Sequence, residues 1–177
     1  MNGFNRALIV SLIFMMAASG IGCSQTQTNG SQTAAPVAKA TPSNKFTEAD
    51  VAKLKWIEGT WRGMDGDKPF YERYRIEGSV MIVDGFTDGT LEKIESSDRF
   101  ELKNGEFGKG EGDKRTAASS ITDTSVQFVP AVPGRSNSFR FEKQPDGTWH
   151  AILEWPAAAN KPAGQKMYKM EPYQAPK

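Results

Sequence analysis

The chain has few side chains that could do chemistry on their own, and its single cysteine and single histidine are the first to consider. Cys23 lies where an apolar N-terminal run ends and a polar stretch begins, so its thiol is predicted to be an attachment point and not a core residue. With His150 as the only histidine, a zinc site of the usual Cys/His kind is excluded. No serine occupies a Gly-x-Ser-x-Gly elbow and no motif places a carboxylate pair, so no catalytic residue is predicted.

The N-terminal segment has the parts of an export signal. Residues 1–6 carry one cationic side chain, Arg6, and an uncharged apolar run of about 16 residues follows up to Gly22. Such a run matches the core of a signal peptide and is shorter than the roughly 20 residues that a membrane span needs. We therefore predict a signal peptide over residues 1–22.

Gly20, Ile21, Gly22 and Cys23 resemble the lipobox of bacterial lipoproteins. The resemblance implies cleavage before Cys23, acylation of its thiol, and attachment to a membrane through acyl chains, of which two or more hold a protein firmly. Ser24 lacks the acidic character of an inner-membrane retention signal, so the expected location is the outer membrane, facing the periplasm. The alternative is a secreted protein cut after Gly20 or Gly22, with Cys23 left as a free thiol.

The net charge excludes one class of partner. The chain has 22 Lys and Arg against 21 Asp and Glu, and Arg6 is the only charged residue of the predicted signal peptide, so the mature chain is neutral. Because cationic side chains are not in excess and no basic run is interleaved with aromatics, nucleic acid is not expected as a partner. The sequence identifies no protein partner.

Composition divides the rest of the chain into three parts. Residues 23–45 begin with the cysteine and are otherwise mostly Ser, Thr, Gln, Ala and Pro. They bury too little apolar surface to offset the entropy lost on ordering, so a disordered linker is predicted. Residues 46–173 have the length of one domain, and residues 174–177 form a short tail.

The predicted domain opens with a helix signal and continues with strands. Thr47 and Asp50 have the spacing of a capping box, and Val51, Leu54 and Ile57 follow near helical spacing, so one short helix is predicted. After the helix, apolar residues alternate with polar ones between glycine-containing turns. Short strands are predicted around Val80–Val83, Phe100 and Leu102, Val126 and Phe128, Phe139 and Phe141, and Trp149–Trp155.

The turns indicate how these strands connect. Asn104 and Gly105 suit the two positive-φ positions of a type I′ hairpin turn, which would set Lys103 opposite Glu106. About nine or ten sequential strands could form a sandwich or a barrel, and closure is favoured because it leaves no edge strand. The predicted fold is all-β, a small closed antiparallel up-and-down barrel with one short N-terminal helix. Gly108–Gly112 matches no phosphate-binding spacing and is expected to be a flexible loop.

The segment Trp56–Gly63 reads Trp-Ile-Glu-Gly-Thr-Trp-Arg-Gly. It resembles the first strand of the calycin group, which includes lipocalins, fatty-acid-binding proteins and nitrobindin-like domains. The specific resemblance is to uncharacterised bacterial lipocalin-like domains that open with Trp-x-x-Gly-x-Trp-x-Gly. It implies a lipocalin-like barrel in which Trp61 plugs the closed end, while Gly59 and Gly63 let the strand bend.

Glu72 is the acidic residue that is considered for a ligand site. The bacterial relatives carry a glutamate shortly after the first turn, and Glu72 matches it. If the even-numbered residues of the second strand face inward, burial raises the pKa of Glu72. Glu72 or Tyr74 could then hold the polar end of a ligand. The alternative is that Glu72 pairs with Arg62 or Arg140 at the rim of the barrel.

A barrel of about 8 strands has room either for its own side chains or for one small ligand. Together with Glu72, the residues predicted to line a ligand site are Tyr74, Phe139, Phe141, Trp149 and Trp155. The predicted function is that of an envelope lipoprotein that binds a small apolar or amphipathic molecule. The main alternative is a structural or partner-binding lipoprotein with a filled barrel.

Two further functions are less favoured. Nitrobindin-like relatives bind haem through a histidine, so His150 is the candidate axial ligand. Because His150 alternates with Trp149 along its strand, it is expected to face outward, and neither haem nor another cofactor or metal is predicted. An enzyme would have to use Glu72 as an acid or base, and no enzymatic activity is expected.

Overall fold

The structure is a computed structural model that describes residues 45–157 and 162–176. The predicted signal peptide, Cys23 and almost all of the predicted linker lie outside the described residues. Within the described ranges, no helix has the length and apolar character needed to cross a bilayer.

Ten antiparallel strands form a closed barrel in which neighbours in sequence pair with each other and the last strand pairs with the first. The predicted all-β up-and-down barrel is therefore confirmed. The strands are β1 (Gly59–Asp65), β2 (Lys68–Glu77), β3 (Val80–Phe86), β4 (Ile94–Lys103), β5 (Glu106–Lys109), β6 (Thr116–Ile121), β7 (Ser125–Pro130), β8 (Ser138–Lys143), β9 (Trp149–Trp155) and β10 (Gly164–Pro172).

A short helical segment precedes the barrel, as predicted. It comprises α1 (Glu48–Ala52) and a 3₁₀ turn (Lys53–Ile57), and a capping box between Thr47 and Asp50 starts it. Its apolar side chains Val51, Leu54 and Ile57 are fully buried and belong to the barrel core. The segment therefore covers one end of the barrel, which we call the helix end, and the opposite end is the mouth.

The hairpin between β4 and β5 has the predicted turn. Asn104 and Gly105 have φ values of 55° and 82°, and Lys103 lies opposite Glu106. The backbone N–H of Phe46 donates to the carbonyl of Gly105 at 2.7 Å, which attaches the start of the domain to this turn. The hairpin therefore lies at the helix end.

The expectation of a flexible loop over Gly108–Gly112 is wrong for its first two residues. Gly108 and Lys109 belong to β5 and pair with Ala117 and Thr116 of β6. A Cβ on Gly108 would overlap the backbone carbonyl of Thr116, so glycine is required for this close approach. As a consequence, Lys109 is held in the barrel wall.

Candidate functional site

The half of the barrel interior nearest the helix segment is aromatic. The Trp149 ring lies 5.9 Å from Trp61, 5.3 Å from Tyr74 and 5.0 Å from Phe141 between ring centroids. We call these four residues the helix-end cluster. Trp149, Tyr74 and Phe141 are almost completely buried, and edge-to-face packing of this kind adds to the free energy gained from burial.

Trp61 lies at the helix end of the barrel. Its indole N–H donates to the carbonyl of Ile57 at 2.7 Å, which joins β1 to the 3₁₀ turn at the helix end. Gly59 has a φ of +126°, a conformation that L side chains rarely adopt. A Cβ at Gly63 would overlap the Phe70 ring, so this glycine provides space inside the barrel.

One wall of the interior half nearest the mouth carries polar side chains. Strand register places Glu72 opposite Gly85, Asp98 opposite Val83, and Lys109 opposite Thr116. Directly opposite residues share a face, and buried Tyr74 and Val83 identify that face as the inner one on β2 and β3. We call Glu72, Asp98, Lys109 and Thr116 the mouth cluster.

Glu72 is 5% exposed and accepts a hydrogen bond from the Tyr74 hydroxyl, whose oxygen lies 2.7 Å from Oε2. Burial raises the pKa of Glu72 from its ordinary 4.5 to about 7. The hydrogen bond from Tyr74 acts in the opposite direction and lowers this pKa. Asp98 raises this pKa further and Lys109 lowers it. Glu72 therefore changes charge near neutral pH while its partner Tyr74 is held neutral, because burial raises the pKa of that phenol well above its usual value.

Asp98 and Lys109 form an ion pair at the same level. The Nζ of Lys109 lies 3.0 Å from Oδ1 of Asp98, and it also lies 5.5 Å from the centre of the Phe100 ring. Burial lowers the pKa of Lys109, and the charge of Asp98 opposes that shift. The side chains of Asp98 and Lys109 are 25% and 12% exposed, so solvent reaches the pair.

Thr116 completes the polar wall. It is fully buried, and its Oγ1 has no hydrogen-bond partner among the described residues. Buried hydroxyls are normally satisfied, and an unsatisfied one costs about 1 to 3 kcal/mol. Thr116 lies opposite Lys109 on the inner face, so its hydroxyl is part of the same wall as the ion pair.

The opposite wall of the mouth half is apolar. Phe139 and Leu153 lie opposite each other on β8 and β9 and are 7% and 5% exposed. Trp155 continues this face toward the mouth and is partly exposed, and its ring packs over Gly164 of β10. Polar groups on β2 to β6 therefore face an apolar surface on β8 and β9.

The residues predicted to form one ligand site are divided between the two halves. Tyr74, Phe141 and Trp149 belong to the helix-end cluster, whereas Glu72 and Trp155 lie in the mouth half. Phe139 stacks on Phe128 with 4.7 Å between ring centroids and joins the two halves. The Tyr74 hydroxyl links the helix-end cluster to Glu72.

The alternative pairing of Glu72 with an arginine at the rim is wrong. Arg62 pairs with Glu171 at 2.7 Å, and Arg140 pairs with Glu142 and Glu154 at 2.7 and 3.0 Å. Both arginines alternate with inward-facing residues, so their side chains lie on the outer surface. An acid on the inner face cannot reach them.

Sequence reasoning missed Asp98, Lys109 and Thr116. For Asp98 the signal was present, because extending the alternation of Phe100 and Leu102 backward by two residues places Asp98 on the inner face. Lys109 was assigned to a glycine-rich loop, and Thr116 begins a strand of small residues with no apolar alternation. Their inward orientation follows from register, which the sequence did not specify.

A groove of about 540 Å³ lies over β4, β5 and the segment that follows up to Arg115, and Lys109 is among its lining residues. Its charged side chains already pair with one another, as Arg99 with Glu101 and Arg115 with Glu106. These pairs lie on the surface, where ion pairs are weak and well solvated. The mouth cluster, with a buried acid and an unsatisfied hydroxyl, is the better candidate site.

His150 lies between the inward-facing Trp149 and Ala151 and therefore faces outward, opposite Glu142 and Lys169 on the neighbouring strands. Within residues 45–157 and 162–176, no three His, Cys, Asp or Glu side chains are grouped as a metal site would require.

Comparisons of the chain with protein-family models, with curated proteins and with solved structures find no match.

Proposed function

We propose that this chain is an exported lipoprotein whose barrel binds a small amphipathic molecule in the mouth half of its lumen. The observation that carries the proposal is the gradient of exposure along the inner face. Asp98 and Lys109 are partly exposed, Glu72 is 5% exposed, and Trp149 is fully buried. An apolar surface with a few convergent polar groups is the common form of a small-molecule site.

Trp61 at the helix end, the short helix before β1 and the two glycines Gly59 and Gly63 support a lipocalin-like domain as the carrier of this site. The predicted signal peptide and Cys23 support attachment to the cell envelope, at the outer membrane facing the periplasm. We propose binding and not catalysis, because the buried acid is engaged by Tyr74 and Asp98 by Lys109.

The alternative of a filled barrel is favoured by the packing of the helix-end cluster. Its ring centroids are 5.0 to 5.9 Å apart around Trp149, which is close-packed aromatic contact. If the same density extends to the mouth, the protein is a structural or partner-binding lipoprotein.

Ligand titrations separate these two functions. The full chain, purified in detergent with empty micelles as the blank, is titrated with hexanol, hexanoate and hexylamine, which are soluble and share one apolar chain. We expect saturable quenching of tryptophan fluorescence by at least one probe, because Trp155 lies at the mouth. Trp155→Phe should remove most of the signal, and Trp56→Phe at the helix end should keep it. Without a saturable change for any probe, the filled barrel is the correct alternative.

Labelling tests the anchor. Expressed in a bacterial host, the chain should incorporate labelled palmitate and partition into detergent, and Cys23→Ser should abolish both properties. Label retained by Cys23→Ser would contradict lipid attachment at this residue.

A further inference from the structure

We propose that the head group accepted by the mouth half of the lumen is cationic, so that the ligand is a protonated amine on an apolar body. This inference rests on the proposed binding function and names the class of its ligand. It follows from the charges and hydrogen-bonding groups of Glu72, Asp98, Lys109 and Thr116.

The charges of the mouth cluster are unbalanced. Glu72 and Asp98 supply two carboxylates, and Lys109 supplies one ammonium, which Asp98 already binds at 3.0 Å. When Glu72 is ionised, its hydrogen bond comes from the neutral Tyr74 hydroxyl, and the one ammonium that acts on its charge, Lys109, is shared with Asp98. A bound ammonium would give two positive and two negative charges, whereas a bound carboxylate would place three negative charges around one positive charge.

The hydrogen-bonding groups also match an ammonium. An ammonium has three N–H donors and no acceptor. The cluster offers the carboxylate oxygens of Glu72 and Asp98 as acceptors, and the buried Thr116 hydroxyl has no partner among the described residues. This hydroxyl is independent of the charge argument, because its oxygen can accept an N–H of an ammonium whatever the charges around it.

The apolar surface across the lumen from these groups suits the body of the same ligand. Phe139 and Leu153 are buried there, and Trp155 lies at the mouth. At the rim, Lys166 pairs with Asp65, so this pair does not alter the charge balance. An amine with a short aliphatic or aromatic body can therefore place its cation on the polar wall and its carbon atoms on the apolar one.

Burial strengthens the discrimination between head groups. Charges interact more strongly in the partly buried lumen than in water, and an unpaired buried charge is costly. The titratable groups that face Glu72 are Tyr74 on β2, Asp98 on β4, Lys109 on β5 and Tyr168 on β10. Because the pKa of Glu72 is about 7, its ionised fraction rises about tenfold between pH 6 and pH 8 while an alkylamine stays protonated.

Isothermal titration calorimetry of the full chain with hexylamine, hexanol and hexanoate tests the inference, with empty micelles as the blank. At pH 8 hexylamine should bind at least about tenfold more tightly than either other probe. Its affinity should fall about tenfold from pH 8 to pH 6, and that of hexanol should not fall. Glu72→Gln keeps the size of the side chain and should remove the preference for the amine.

Glu171→Gln is the matched control, because Glu171 is a glutamate paired with Arg62 on the outer surface, and hexylamine affinity should be unchanged in this variant. Hexanoate or hexanol binding as tightly as hexylamine would overturn the inference and leave the binding function standing. Absence of binding by all three probes would overturn both. If Glu72→Gln does not fold, the pH dependence of the unmodified chain decides the question.

Discussion

The two halves of the barrel interior differ in chemical character. In the helix-end cluster, Trp61, Trp149 and Phe141 pack ring against ring and exclude solvent. In the mouth cluster, a buried acid lies near an ion pair that solvent reaches. The comparison teaches that one alternating pattern can close a barrel at one end and leave a chemical site at the other.

The two halves meet on β2. Tyr74 gives its ring to the helix-end cluster and its hydroxyl to Glu72. Because the stability of the barrel and the charge of the site share this contact, changes in each half can be compared in one protein.

The largest effect is expected in the helix-end cluster. Trp61→Ala removes a large ring packed on Trp149 and the hydrogen bond to Ile57. Truncation of a buried aromatic costs about 3 to 5 kcal/mol, which is a large part of the about 5 to 15 kcal/mol that stabilises a domain. The free energy of unfolding, measured by denaturant titration, should fall by this amount.

His150→Ala is the control for this prediction, because His150 belongs to the outer face. Surface substitutions usually change stability by within about 0.5 kcal/mol. Similar small losses from both variants would show that Trp61 does not hold the helix end together.

In the mouth cluster, a substitution is expected to raise the free energy of unfolding, and by an amount that depends on pH. Burial raises the pKa of Glu72 from 4.5 to about 7, so the folded protein holds the proton more tightly than the unfolded chain. The stabilisation from this proton is complete below pH 4.5 and is lost as the pH rises through 7. Gln does not ionise, so the Glu72→Gln variant does not lose this stabilisation. Its free energy of unfolding should exceed that of the parent by up to about 3 kcal/mol at pH 8.

Denaturant titrations at pH 5 and pH 8 measure this difference directly. The gain from Glu72→Gln should be small at pH 5 and large at pH 8. A variant that is less stable than the parent at pH 8 would mean that the ionised carboxylate is stabilised by the fold, and the mouth cluster would then be a structural ion network.

A smaller effect distinguishes the ion pairs of the lumen from those of the outer surface. Double-mutant cycles with Asp98→Asn and Lys109→Met should give a coupling of about 1 to 2 kcal/mol, because both groups are largely buried. The matched cycle with Arg62→Met and Glu171→Gln should give less than about 1 kcal/mol, since both side chains are 43% exposed. Equal coupling free energies would show that the ion pair of the lumen is no stronger than the pair on the outer surface.

Much of the fold could be predicted from the sequence because its signals are local. The alternation of Trp149, Ala151 and Leu153 marks one inner face, and the turn at Asn104 and Gly105 fixes a hairpin register. Closure followed from sequential hairpins, since a barrel of such strands has no edge.

The site could be predicted only in part, because its members meet through tertiary register. Glu72 was found from its inward position beside Tyr74. Lys109 reaches the lumen only because Gly108 lets β5 approach β6 closely, and this contact has no signal in the local sequence. Asp98 and Lys109 are brought together across the β4–β5 hairpin, where charge pairing and not hydrophobic alternation determines their role.

The central claim is that Glu72 is a buried acid that meets the head group of a ligand. The carboxyl ¹³C chemical shift of Glu72, followed by NMR from pH 4 to pH 9 in the full chain with and without hexylamine, tests this claim most directly. The account predicts a midpoint near pH 7 that moves to lower pH when hexylamine binds. A midpoint near the ordinary glutamate value of 4.5, unmoved by hexylamine, would contradict it.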